Sequence, residues 1–218
     1  MKLARLYQRD YLDPRLLFVF IAVYYILFTY IWQEYLFTDN IYYNSFAEQI
    51  SEERIKKYIF IQRKLWWMSF ILLPMVLLVK TTLVAICLNV GTLFSDLKVK
   101  FAHLFRIALV AEIIFVLASF VRLGWLYFFI DYHTIRDIKM FYPFSLLNIL
   151  QNHTPAWLAY PLQTLNLFEV GYWLLLAFGL KQYIQWSFTK TTTLVLLSYG
   201  LGLIIWSVFI MFLSVNFS

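Results

Sequence analysis

Asn166-Leu-Phe-Glu169-Val-Gly-Tyr-Trp173-Leu-Leu-Leu-Ala-Phe-Gly179-Leu-Lys181 opens the last quarter of the chain. A polar gap holding Lys190 follows, and an uncharged apolar run from 194 to 217 closes the sequence. Two apolar runs joined by so short a gap predict a helical hairpin in a membrane. A water-soluble fold has no second surface against which to hide both helices on all sides.

The rest of the 218 residues agrees. The chain is 62% hydrophobic and 14% charged, with a mean hydropathy of +0.72. That balance excludes disorder and an ordinary soluble domain. The net charge of +6 comes from Lys and Arg at the ends of apolar runs, as membrane topology requires, so nucleic acid is not the expected partner. The lone Cys87 lies inside an apolar run, where a small buried side chain is expected.

Working back from the hairpin, apolar runs place spans at about 16–37, 65–94 and 104–130, with the closing pair at about 167–186 and 194–217. The expected fold is therefore all-α, a single polytopic membrane domain of five transmembrane helices. Pro14 suits the first turn of the first span. In the first loop, Ser45-Phe-Ala-Glu48 has capping-box spacing, and Glu52/Lys56 and Glu53/Lys57 lie four residues apart. These predict a short amphipathic helix at the interface. Pro74 should bend the second span, with two re-entrant pieces as the alternative. The second long loop, 131–165, has a segment at 141–150 too short to span, which is expected at the interface. Five spans put the termini on opposite sides. With the N-terminus cytoplasmic, nine Lys and Arg fall inside and eight outside, a small bias in the expected direction.

Two charges lie deep in spans. An ionisable side chain at the centre of a span costs about 2.5–3.5 kcal/mol or more, so each needs a partner. Lys80 and Glu112 fall at matching depths on antiparallel neighbouring spans, which allows an ion pair. Separately, Lys80 could snorkel while Glu112 faced a polar crevice or another subunit. Glu169 is expected at headgroup level. His103, His133 and His153 are scattered. His133 and Asp137 are four apart, but one pair does not make a metal site. The sequence carries no glycine-rich phosphate loop, His-Glu-x-x-His or nucleophile elbow. No metal, cofactor or catalytic residue is expected, and a non-enzymatic protein is.

The hairpin resembles the Yip (Ypt-interacting protein) family of small five-span membrane proteins over roughly residues 64–218. The matching positions are Leu167-Phe168, Trp173, Gly179-Leu180, Ser187 and Lys190, with Gly91, Lys100-Phe101 and Ala111 upstream. Asn166 and Glu112 depart from the pattern. The resemblance implies a non-enzymatic protein that binds or scaffolds other membrane proteins, as an accessory subunit or homo-oligomer in the lipid bilayer. Phe168, Trp173, Gly179 and Lys190 are then its packing or motif positions. The alternative, resting on Lys80 and Glu112, is a small transporter or permease subunit.

Overall fold

The computed structural model describes residues 13–150 and 154–217. His153 lies outside them. Helices joined by short loops make up the described residues, with no strand among them. Four of its helical stretches are long and apolar enough to cross a membrane.

The first, α1 (Pro14–Leu36), starts where Asp13 accepts the Arg15 N–H at 2.9 Å and Pro14 occupies the first turn. Two loop helices follow, α2 (Asp39–Phe46) and α3 (Glu52–Leu65). Ser45 does not cap a helix. It closes α2 by donating to the Ile41 carbonyl at 2.6 Å, and it accepts the Ile135 N–H of a distant loop at 2.8 Å. The helix that the spacing predicts begins instead at Glu52, after Ser51. Its Ile55 and Ile59 are buried against Tyr42, while Glu52, Glu53, Lys56 and Lys57 face outward.

The long α4 (Met68–Phe94) contains Pro74 and ends as Asp96 turns left-handed at φ 54°. The Leu97 N–H then returns to the Thr92 carbonyl at 2.9 Å, satisfying a carbonyl the helix end leaves free. The third stretch is two helices, α5 (Phe101–Ala111) and α6 (Ile113–Phe129), meeting at Glu112. Three short helices follow: α7 (Ile135–Met140), α8 (Leu146–Ile149) and α9 (Ala156–Thr164). Next comes α10 (Leu167–Lys181), whose 15 residues reach about 22 Å at 1.5 Å per residue, short of a ~30 Å hydrocarbon core. The chain closes with α11 (Phe188–Val195), a π-helical segment Leu196–Gly200, and α12 (Leu201–Phe217).

At the centre stands α5. Leu104, Ile107, Ala108, Leu109 and Ala111 have no exposed surface and pack among α1, α4 and α10. The outer helices do the reverse: Leu16 and Phe20 of α1 and Ile204 and Ile205 of α12 stand exposed, as the lipid-facing side of a bundle requires. A second cluster of Leu36, Ile41, Leu126, Ile138 and Phe141 joins the end of α1 to α2, α6 and α7. Phe141 and Leu147 are thus buried within a capping layer formed by the second loop.

Candidate functional site

The structure brings Lys80 and Glu112 together across α4 and α5–α6. Lys80 Nζ lies 2.9 Å from Glu112 Oε1 and donates to Oε2 at 3.0 Å. The carboxylate is fully buried, whereas 40% of the lysine side chain is exposed. The ammonium sits 3.8 Å from the centre of the Phe115 ring and 5.6 Å from that of Tyr172. Ring faces carry partial negative charge and attract a desolvated cation. They hold Lys80 at the depth where Glu112 meets it.

Lys80 opens onto a cavity of about 510 Å³ that α1, α4, α6, α9, α10 and the last helical stretch all line. Glu169 also lines it, at 5% exposure. Its carboxylate is thus turned into the bundle and not presented at the bundle surface. Asn166 caps α10 by accepting the Glu169 N–H at 2.8 Å, which turns the Glu169 side chain into the bundle. There its Oε1 accepts from Trp173 Nε1 at 2.9 Å and from the Tyr199 hydroxyl at 2.7 Å. Tyr199 belongs to the π segment. A π turn shifts the following side chains around the helix axis, a device frequent at functional sites.

The other charged wall is Arg122 of α6. Its guanidinium carbon lies 4.7 Å from the Trp32 ring centre and 5.3 Å from that of Tyr142. Nη2 donates to the Ile138 carbonyl at 2.8 Å, and Nε is buried without a hydrogen-bond partner. Among the described residues Arg122 has no carboxylate partner. Burial raises the Tyr142 hydroxyl above its ordinary range even against the pull of Arg122, so Tyr142 presents a neutral phenol.

The Ile138 carbonyl is held in place by the cap of α7. Thr134 and Asp137 form a reciprocal capping box, and the Asp137 carboxylate also accepts the His133 N–H at 3.1 Å. Burial pushes the Asp137 pKa up, but these hydrogen bonds outweigh it and leave it below the ordinary value. His133 and Asp137 are thus neighbours through a backbone N–H, and the carboxylate is committed to the cap.

Of the motif positions, Phe168 and Gly179 are buried, and Trp173 serves Glu169. Lys190 is exposed on the first turn of α11, with its N–H 3.4 Å from Ser187 Oγ. Gly91 has a packing role, because a Cβ there would stand 2.7 Å from Ser198 Cβ.

Two interruptions of helix border the cavity, the π segment at Tyr199 and the break at 165–166 between α9 and α10, and a third, Glu112 between α5 and α6, stands behind Lys80. The break at 165–166 is supported from outside. Leu146 N–H donates to the Leu165 carbonyl at 3.0 Å, and Leu167 N–H donates to the Phe144 carbonyl at 3.2 Å. Backbone groups freed at a helix break need this kind of partner when they are not open to water. No family model, characterised protein or solved structure matches the chain.

Proposed function

We propose that this is a non-enzymatic multi-pass membrane protein that holds a small polar ligand within the bilayer, as a small transporter or permease subunit does. The observation that carries the reading is the cavity itself. Lys80, Arg122 and Glu169 line one space of about 510 Å³, within the range of about 300–1,000 Å³ usual for small-molecule sites. Ionisable groups inside a membrane are costly and mark ligand or ion paths. Broken helices around a mid-membrane site are a recurring feature of transporters.

In this reading the chain crosses five times, with the N-terminus cytoplasmic, α2 and α3 at the interface, and the fourth crossing split into α9 and α10. Ring pairs at the two ends of α10 support the split crossing. Phe144 packs on both Trp125, near the end of α6, and Phe168, at the start of α10, with centroids 5.4 and 6.1 Å apart. At the other end Tyr183 stacks on His103, near the start of α5, at 4.5 Å. A helix with those two neighbours runs antiparallel to α5–α6. The partner-binding role implied by the Yip resemblance rests on motif residues that mostly turn inward, so they support the fold more than an interaction surface.

Substituted cysteines test the cavity. In a Cys87→Ser background, Ser119→Cys and Thr164→Cys line the space, and Val79→Cys is exposed on the apolar side of α4. A small charged thiosulfonate reacts only where water reaches the thiol. Labelling of both lining positions roughly tenfold or more faster than Val79→Cys supports a solvated ligand site. Equal, slow labelling at all three overturns it.

A further inference from the structure

Three charged side chains line the proposed ligand site and a fourth, Glu112, stands behind Lys80; their partners divide them unequally. Glu112 is paired with Lys80, and Glu169 accepts from Trp173 and Tyr199. Arg122 has one carbonyl, two ring faces and an unpartnered Nε. Among the described residues, both carboxylates at the cavity are thus engaged elsewhere, and one cation facing it lacks a counter-charge. A guanidinium presents donors in a planar fork that matches the oxygens of phosphate or carboxylate.

The Arg122 surroundings fit such an anion better than a structural role alone. Tyr142 and Tyr160 bring hydroxyls to the same wall, and Gln163 brings an amide, although its Nε2 already donates to the Lys139 carbonyl at 2.7 Å. Ser119 faces the space with its hydroxyl bonded to the Val116 carbonyl at 2.7 Å. Phe28 and Leu203 supply apolar wall beside these groups, suited to the carbon skeleton of an amphiphile.

Resting on the cavity reading, we infer that the ligand carries a phosphate or carboxylate group and that Arg122 is the residue that binds it. The same oxyanion chemistry could arrive on a lipid headgroup or as a free anion, and the test separates the two. Purified protein in neutral detergent is melted with dioctanoyl-phosphatidylglycerol, with inorganic phosphate, and with uncharged dioctanoylglycerol. The inference expects at least one anionic probe to stabilise the wild type saturably while dioctanoylglycerol does not. Stabilisation by the phospholipid alone identifies a membrane-borne ligand, and stabilisation by phosphate identifies a free anion.

Arg122→Gln should weaken the apparent affinity roughly tenfold or more, the scale of one lost charge-assisted hydrogen bond. Arg122→Lys keeps the charge but loses the fork, and should fall between the two. It also provides the measurement if the glutamine variant does not fold. Failure of every anionic probe, an equal response to dioctanoylglycerol, or an undiminished response in Arg122→Gln or in Arg122→Lys overturns the inference. Rapid labelling of Ser119→Cys alongside any of those results removes the anion assignment and leaves the cavity standing. Slow labelling removes the cavity whatever the anions do.

Discussion

Glu112 and Lys80 meet in asymmetric surroundings, and the asymmetry makes a prediction at the scale of single residues. Glu112 is fully buried at the junction of two helices, whereas Lys80 is partly exposed to the cavity and lies over Phe115. Removing one member of a buried pair typically costs about 3–5 kcal/mol, because the survivor is left uncompensated. Lys80→Met strands the carboxylate in the drier place and should destabilise more than Glu112→Gln, which leaves a lysine with an open cavity and a ring face. The double variant should recover much of the loss. Melting the three variants and the wild type in one detergent checks both the order and the recovery. Additive losses would mean that the pair contributes no coupling. The possibility of this pair was legible in the sequence, since two charges at equal depth in apolar runs need each other. Glu169 was not, because its partner Tyr199 lies 30 positions further on. Arg122 was visible only as a charge near a span end, since nothing local foretells that Trp32 and Tyr142 flank it.

Among the elements, α4 and the last helical stretch come close where Gly91 faces Ser198 and Cys87 faces Gly202. A Cβ on Gly91 would stand 2.7 Å from Ser198 Cβ, and one on Gly202 would stand 2.7 Å from Cys87 Sγ but 3.9 Å from its Cβ. The first conflict is with an atom fixed to the backbone, and the second is with the end of a side chain that can rotate. Gly91→Ala should therefore destabilise more than Gly202→Ala, by about 1–3 kcal/mol as for other overpacked sites. Gly124, with nothing within 4 Å of its Cβ position, is the control. Gly124→Ala should be neutral or slightly stabilising, since alanine favours helix over glycine by up to about 1 kcal/mol. Thermal melts of the three alanine variants test the ranking, and equal effects would contradict the close approach. Hydropathy located the apolar runs because composition carries that signal. It passed over the break at Glu112 and the π segment, and it set a span start at 167 without foreseeing the helix at 156–164 just before it, because each depends on hydrogen bonds made or lost with neighbours. The Ser45 spacing misled for a related reason, since that hydroxyl is taken by the Ile41 carbonyl and the Ile135 N–H.

For the whole molecule, the question is whether the stretch between α6 and α11 crosses the membrane. With four crossings, the turn at 182–187 would lie on the side where α6 ends, and the chain would finish on the side where α5 begins. With five, both positions exchange sides. The five-crossing arrangement is favoured by the stacking of Tyr183 on His103, since His103 belongs to the first turn of α5 and is separated from Phe129 by nearly the whole length of α5–α6. The shortness of α10 is offset by α9, which packs along α12, where Trp206 Nε1 donates to the Tyr160 hydroxyl at 2.9 Å. In that arrangement the two segments together would make the crossing, with a joint beside the cavity. The Arg122 end of the cavity would then lie toward the side opposite the N-terminus. Lys98 and Lys100 in the α4–α5 turn and Lys181 and Lys190 around the α10–α11 turn would share the cytoplasmic side, as the positive-inside rule favours. Reporters inserted at 96–100, inserted at 182–187 and fused after 218 decide the matter. Five crossings with a cytoplasmic N-terminus require the first two to report the cytoplasm and the third the opposite side. A reporter at 182–187 on the side opposite 96–100, with the C-terminus returned to the cytoplasm, would mean that α9 and α10 do not cross, and the split-helix account of the cavity would fall with them.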